Sequence, residues 1–585
     1  MNPRLAPLLR GMAFLAALAL PHAARAAWQQ NIDTEPGSGI DIQVKCLFDN
    51  TPPCVVVPLH ITVANRSGQA GTWRFTVSHF MKTDEELQTK TEITVGPGQS
   101  RTLMLLAPGG AVSCGNTLQV VANGPAVQGR RANICHQTKG TPTETLFLAM
   151  SRDLAARSWE PLKKHIESSK WAFDATQFDP ADLVEDWRAY AGVDYLALSE
   201  TEWARLAPGV RAALRQWVGM GGRLVVTSTA PAAIDWGGAR SPSASANGAP
   251  YGFGVLAAAL WDGKELKPET LGPLLMQKKP KRGDAFDEDK SWNLLSSLGT
   301  LKPNTPLILG FVIVFAALVG PVNLFLFAPP MHRHRMFWTT PLLSLGGSLL
   351  LIAVITFQEG VGGAGRRFTA IHLLPGAHEA AVIQDQAART GLLFGSAFRL
   401  PEDTIAIPLR LNLPFQHQNR NAYSVEGRAF SGDWFKSRSL QAQRFATIRP
   451  TRAELAVVSR DAATGAPVIV SSIESPLETV FLTDTNSTVW RADGLRTGEK
   501  AAMRPVSVKE REAWADATLA PARAVLRETL GRMPFQEGHF AALVTRPRTE
   551  MLATLPSLRW REDLVFYTGL AVDQTHASST GAPQP

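Results

Sequence analysis

The apolar positions repeat with different periods in successive stretches of the chain, and each period predicts a different kind of element. Over residues 28–139 the runs are short and alternating. Val55-Val56-Val57-Pro58-Leu59-His60-Ile61-Thr62-Val63 ends at the turn Asn65-Arg66-Ser67-Gly68, and Trp73, Phe75 and Val77 then share one face opposite Arg74, Thr76 and Ser78. A period of two marks half-buried strands. Ile93 and Val95, the turn Gly96-Pro97-Gly98, and Leu103 and Leu105 repeat the pattern. Two half-polar sheets facing each other bury such stripes when no helix covers them, so an N-terminal β-sandwich is expected over residues 27–142.

The period then changes. Leu146-Phe147-Leu148-Ala149-Met150 reads as a continuous apolar strand, and Leu154, Leu162 and Ile166 lie on one helical face. Asp179-Pro180 offers an N-cap and a first-turn proline to a second helix carrying Leu183, Trp187 and Tyr190. A strand at residues 193–198 follows, then a helix with Val210, Leu214, Trp217 and Val218 on one side, closed by Gly221-Gly222, and the strand Leu224-Val225-Val226. Strands alternating with helices predict an α/β domain with a parallel sheet over residues 143–298.

Residues 303–332 and 336–358 are uncharged and separated only by Arg333, His334 and Arg335. Each run exceeds the roughly 20 apolar residues that cross about 30 Å of hydrocarbon as a helix. A two-helix transmembrane hairpin is expected, with spans at 306–327 and 337–357 and a cytoplasmic turn at 328–336. Gly320, Pro321 and Asn323 in the first span are the expected membrane-packing residues, since freed backbone and polar groups in lipid are satisfied by a neighbouring helix. Neither span carries Asp, Glu, Lys or Arg in its core, which argues against ion transport or a proton relay.

Beyond Arg367 alternation returns around residues 405–413, 457–459, 468–473 and 480–482, with turns at Gly465, Asp493-Gly494 and Gly498 and an amphipathic helix at 508–533 interrupted at Pro521. This predicts a β-rich C-terminal domain over 366–572 and a disordered tail over 573–585. Asp433-Trp434-Phe435-Lys436-Ser437-Arg438 is its most interface-like patch, because Trp and Arg are favoured interface anchors. The whole is a multidomain α+β membrane protein.

Compartment follows from the N-terminus. Arg4 and Arg10 precede the apolar stretch 12–20, and Ala24-Arg25-Ala26 offers a cleavage site, so residues 1–26 read as a signal peptide. An exported start and two crossings put both large portions outside, on the periplasmic face of a bacterial inner membrane. All four cysteines, Cys46, Cys54, Cys114 and Cys135, precede the spans. An even number in an exported segment points to disulfides, and their spacing does not suit zinc. Three pairings are possible; Cys46–Cys54 and Cys114–Cys135 are the most local. No metal and no cofactor is expected. The formal charge of +8 over 585 residues invites a nucleic-acid partner, yet part of it belongs to the signal peptide and the turn, and an exported chain rarely meets nucleic acid. The expected partners are the lipid bilayer and other membrane or periplasmic proteins.

The run 190–199, Tyr-Ala-Gly-Val-Asp-Tyr-Leu-Ala-Leu-Ser, followed by Leu206-Ala-Pro, Ala212-Ala-Leu-Arg-Gln-Trp-Val218 and Gly221-Gly-Arg-Leu-Val-Val226, resembles the class I glutamine amidotransferase-like domains of uncharacterised bacterial membrane proteins. Gly320-Pro321-Val322-Asn323 in the first span resembles the same group. The resemblance covers about residues 145–360. Enzymes of that fold carry a nucleophilic Cys on a Gly-x-Cys-x-Gly elbow after the strand matched here by residues 224–226, where this chain reads Thr227-Ser228-Thr229. With no thiol in the domain, Cys-dependent glutaminase chemistry is absent. Ser199, Glu200, Thr227 and Ser228 follow strand ends, where open α/β sheets bind ligands, and are the candidate ligand residues; no catalytic residue is assigned. The expected function is a binding or scaffold protein rather than an enzyme. The alternatives are a cell-envelope hydrolase using a non-Cys nucleophile such as Ser228, or an accessory subunit of a membrane complex.

Overall fold

The computed structural model describes residues 28–50, 55–80, 86–109, 117–135, 146–168, 173–236, 248–262, 292, 294, 298, 305–409, 411, 421–532, 536–561 and 563–575. The expected signal peptide, Cys54, Cys114 and residues 576–585 of the tail lie outside these.

Eight strands open the chain: β1 (Gln29–Ile32), β2 (Ile40–Cys46), β3 (Val55–Asn65), β4 (Gly71–Phe80), β5 (Glu86–Val95), β6 (Gln99–Gly109), β7 (Thr117–Gly124) and β8 (Val127–Cys135). β1, β2, β3 and β6 make one antiparallel sheet, while β5, β4, β7 and β8 lie side by side in a second. Val57, Leu59, Ile61 and Val63 of β3 and Trp73, Phe75 and Val77 of β4 are all buried in one cluster between the sheets. The alternation thus reports a shared core, each large side chain contributing about 1.5–3 kcal/mol by leaving water.

The middle segment contains β9 (Leu146–Ser151), β10 (Phe173–Phe178), β11 (Tyr195–Ser199), β12 (Arg223–Ser228), β13 (Ala249–Tyr251) and β14 (Gly254–Leu260), in the order β10-β9-β11-β12-β14-β13. All neighbours are parallel except β13 with β14. Every residue of β9 is buried, as a strand covered on both faces requires. Helix α1 (Arg152–Ser168) covers one face through Leu154, Ala155 and Leu162. After the short α2 (Glu200–Arg205), helix α3 (Pro208–Gly219) covers the other through Val210, Leu214, Trp217 and Val218. Gly222 then has to be glycine, because a Cβ there would lie 2.2 Å from the Trp217 indole.

One expected helix is not continuous. Asp179 does cap a turn, accepting from Ala181 N at 3.0 Å, but Pro180–Asp182 and Trp187–Tyr190 are separate 3₁₀ turns with Leu183 extended between them. Local bonds replace the helical ladder: Asp186 caps the second turn, and the Tyr190 hydroxyl accepts from Val184 N and donates to Val184 O.

Among the described residues two helices are long and apolar enough to cross a membrane, over Pro306–Phe327 and Pro330–Val354, with mean hydropathy 2.5 and 1.7. The first is α4 (Thr305–Ala317), continuing as a π-helix over Leu318–Phe327; the second is α5 (Met336–Glu359). The wider π spacing contains Pro321, which has no N–H to donate. Asn323 is fully buried between the helices and donates from Nδ2 to Thr340 Oγ1 at 2.8 Å.

The last segment holds β15 (Gly363–Leu374), β16 (Glu379–Thr390), β17 (Phe398–Arg399), β18 (Ile405–Leu409), β19 (Ala422–Glu426), β20 (Ala429–Gly432) and β21 (Leu440–Pro450). β18, β21, β16 and β15 form one flank of a ten-stranded sheet that continues through Leu564–Leu570, His539–Val544, Leu477–Thr483, Val489–Leu495 and Arg504–Val506, with Leu558–Trp560 also paired to β15. Helices α6 (Val508–Leu519) and α7 (Ala524–Arg532) flank the expected break at Pro521.

β17, β20 and β19 leave that sheet. They extend the second sheet of the N-terminal segment, in the order β17-β20-β19-β5-β4-β7-β8, with β19 parallel to β5. Other boundaries blur as well. Leu47 and Phe48 pack into the α/β core, and Trp292 and Leu294 join Phe368 and Leu526 in the C-terminal core. Trp434 and Phe435, expected at an interface, are buried in the cluster under β19 and β20, with Trp434 Nε1 donating to Ser424 O at 3.3 Å. The ring pair serves as core because β17, β19 and β20 fold over it.

Candidate functional site

The carboxyl edge of the parallel sheet gathers the ends of β9, β11 and β12. Parallel strands all finish on this side, so side chains remote in sequence become neighbours. Ser199 ends β11 and caps α2. Its Oγ accepts from Glu202 N at 3.3 Å, while Glu202 Oε2 accepts from Ser199 N at 2.7 Å and Ser199 Oγ at 2.8 Å, a complete capping box. The same Glu202 oxygen accepts from Ser151 Oγ at 2.9 Å, where Ser151 closes β9.

On the opposite face of the sheet Ser228 Oγ donates to Glu200 Oε2 and accepts from Ala230 N at 2.9 Å. Thr227 points the other way, with Val225 toward α1, and lies in register with Ser199. Its hydroxyl is buried and has no hydrogen-bond partner. Trp261, just past β14, donates its backbone N–H to Ser228 O at 2.9 Å, and its indole Nε1 is also buried and unpaired.

All four expected ligand residues therefore converge on one edge, as two pairs on opposite faces: Glu200 with Ser228, and Ser199 with Thr227. Ser151 and Trp261 belong to the same edge and were missed. Ser151 was detectable, because it ends a strand of the same parallel sheet; Trp261 follows a strand whose neighbour in the sheet only the fold reveals.

Chemically this edge offers hydroxyls and carboxylates already bonded to one another. Ser228 faces a carboxylate, a weaker base than imidazole, and a serine nucleophile needs a base able to take its proton. The strained elbow is missing too. Among the described residues, the non-glycine positions with positive φ are Ala126, His378, Arg438 and Ser487, none of them in the α/β segment. No group of three or more His, Cys, Asp or Glu able to hold a metal ion occurs among the described residues.

Of the three expected membrane-packing residues Asn323 is buried, whereas Gly320 and Pro321 in the same π-helical part are exposed, and a Cβ on Gly320 would meet nothing within 4 Å. Cys46 ends β2 as a free thiol, fully buried. Burial pushes its pKa well above the ordinary thiol range, which keeps it protonated and a poor nucleophile. Cys54 and Cys114 lie outside the described residues. Cys135 contributes backbone pairing with Thr117 across β7 and β8.

A second polar concentration lies inside the C-terminal sheet. Asp385 and Arg444 form a bidentate pair at 2.6 Å with the Asp385 side chain wholly buried. On the opposite face of the same two strands Gln386 Nε2 donates to Gln443 Oε1 at 3.0 Å and Gln384 Nε2 to Gln386 Oε1 at 3.1 Å. Each set satisfies its own members on its own side of the sheet, as buried polar networks must.

The chain matches no protein-family model and no curated protein. Among solved structures it is similar to a Paenibacillus cycloisomaltooligosaccharide glucanotransferase, at 10% identity and a TM-score of 0.17, over 31% of this chain and 27% of that one. A Bacteroides uniformis beta-glucuronidase 2 gives 10% identity and a TM-score of 0.13, over 32% and 24%. The yeast delta-COP-I mu-homology domain gives 9% identity and a TM-score of 0.17, over 36% of this chain and 96% of that domain. The chain spans about a quarter of the length of the first two. Likenesses this distant carry no argument about fold or activity.

Proposed function

We propose that this is a membrane-anchored, periplasm-facing binding or scaffold protein whose α/β domain is amidotransferase-like in architecture and catalytically degenerate. The observation that carries the reading is the β5–β19 pairing. Residues 86–90 and 422–426 share a hydrogen-bonded ladder, so they occupy the same side of any membrane that the intervening helices cross. An even number of crossings satisfies this, and an export signal directs that side outward. The two apolar helices have 6% and 0% of their most hydrophobic window buried in protein; lipid is the solvent that suits such surfaces.

The binding character rests on the carboxyl edge. Glu202 and Ser199 are committed to capping, and Glu200 and Ser228 to each other, leaving Thr227 and Trp261 as unpaired groups that a ligand or a partner segment would satisfy. The bilayer and other membrane or periplasmic proteins are the partners this reading assigns. Alkaline phosphatase fused after Arg438 should be active and after His334 inactive; the reverse pattern overturns the topology.

The competing reading is a hydrolase, favoured by the Ser228–Glu200 hydrogen bond. Purified full-length protein screened against esters, amides and glycans separates the two. Turnover abolished by Ser228→Ala, in protein of normal abundance and fold, would replace the binding reading with the enzymatic one.

A further inference from the structure

The chain leaves α5 through a short and rigid link. Glu359 ends the helix and Gly363 begins β15. Gly360 and Gly362 adopt φ of +73° and +83°, and a Cβ on Gly362 would lie 2.2 Å from Ser557 O. α5 has 24 residues, about 36 Å of helix, against about 30 Å of hydrocarbon. Its last turn therefore emerges in the headgroup zone, and the corner of the C-terminal domain is held there.

Residues 391–395 are stapled to that exit. Gly391 N donates to Gly362 O at 2.7 Å, Leu392 N to Gly360 O at 3.0 Å, and Gly362 N to Leu392 O at 2.9 Å, with Val361 bridged to Leu392. On the far side Leu393 N donates to Ser437 Oγ at 2.9 Å and Arg438 N to Gly391 O at 2.9 Å. Leu393 packs inward against the cluster of Phe398, Trp434 and Phe435. Its neighbour Phe394 does not: it is 86% exposed, and Val361 is 59% exposed. Bridged chains lie about 5 Å apart, and two further residues add at most about 7 Å, so Phe394 is within about 12 Å of Val361, two residues past the end of α5.

Two arginines lie on the segments that flank this apolar tip. Arg438 is exposed and holds φ +60°, a conformation that glycine or asparagine adopts more easily. Arg559 is exposed and lies in register with Ala364, three residues past Val361. Exposed aromatic and aliphatic side chains with arginines nearby are the composition of an interfacial membrane contact.

We propose that residues 391–395 form a membrane-dipping loop, in which Phe394, together with Val361, enters the lipid interface beside α5 while Arg438 and Arg559 face anionic phospholipid headgroups. This rests on α4 and α5 spanning the bilayer. The loop fixes the orientation of the C-terminal domain relative to the membrane, a task that a helix exit alone leaves to rotation about its axis.

The test uses the full chain in nanodiscs of phosphatidylcholine and phosphatidylglycerol, comparing Phe394→Trp with the parent. The added emission should be blue-shifted, insensitive to iodide, and reduced by about half with lipids brominated near the acyl carbonyl. Emission quenched by iodide and untouched by brominated lipid overturns the loop. Trp338, 75% exposed at the start of α5, reads the hairpin separately: Trp338→Phe should remove a lipid-quenched component. If that component is present and the emission added by Phe394→Trp is aqueous, only the loop fails; if it is absent, the spanning reading fails and the loop with it. Oxidative footprinting of the unmodified chain gives a substitution-free reading, with Phe394 shielded in nanodiscs if the loop dips and oxidised as an exposed ring if it does not.

Discussion

Leu87 in β5 lies directly opposite Tyr423 in β19, in a parallel register that joins two segments separated in sequence by the parallel-sheet segment and both apolar helices. Both side chains are 6% exposed and sit in the same cluster with Phe430 and Trp434. The second sheet of the N-terminal segment is therefore incomplete until the C-terminal segment has been made. Until then β5 presents an unpaired edge, the feature that natural sheets cover or blunt.

Tyr423→Ala should destabilise both segments together. Removing a buried aromatic ring costs about 3–5 kcal/mol, and here it also loosens the β5–β19 ladder. Hydrogen exchange should show protection falling at Gln88 and Lys90 as well as at Ser424. Loss confined to residues 422–432 would mean that the two segments fold independently.

The carboxyl edge separates structural from optional groups. Glu202→Ala breaks the capping box and the bond from Ser151, so a loss of about 1–2 kcal/mol is expected in denaturant melts. Ser228→Ala removes a hydroxyl bonded to Glu200 and to Ala230 N, and should cost about 1 kcal/mol while leaving the cellular role intact. A larger cost for Ser228→Ala than for Glu202→Ala would reverse this assignment.

The buried pair in the C-terminal sheet makes an asymmetric prediction. Burial works against the Arg444 charge, but the charge of Asp385 and its hydrogen bonds outweigh that and raise the guanidinium pKa above its ordinary value. Asp385→Ala leaves Arg444 charged and unpaired, at a cost of about 3–5 kcal/mol. Asp385→Leu combined with Arg444→Met should recover most of the loss, because two apolar groups demand no partner. Equal losses in the single and double variants would contradict this.

His372 predicts the acid branch of stability. It is buried in β15, its ring 5.5 Å from Phe253 and 6.3 Å from His539. Burial, with a smaller contribution from His539, lowers its pKa from 6.5 to about 3. The unfolded chain then binds the extra proton first, so this contribution is complete above pH 6.5 and is lost as the pH falls from 6.5 toward 3. The slope over that window is at most about 1.4 kcal/mol per pH unit. His372→Gln should flatten it in melts recorded across this range; an unchanged slope would remove His372 as the cause.

Where a segment's own side chains decide its structure, the sequence was informative. Period two in Trp73, Phe75 and Val77, the buried face of Val210, Leu214, Trp217 and Val218, and two long uncharged runs each express a local burial pattern, and the corresponding elements form. The site was legible to the same extent: strand ends in a parallel sheet predicted where Ser199, Glu200, Thr227 and Ser228 would meet. Tertiary structure alone decided which partner each element took. Tyr423 and Phe430 are buried in β19 and β20, but backbone hydrogen bonds pair any strand with any other, so nothing local names β5 as the neighbour of β19. The same reason hid the burial of Trp434, whose cover comes from folding over it, and the division of the carboxyl edge between the two faces of the sheet, which depends on how β11 and β12 are registered.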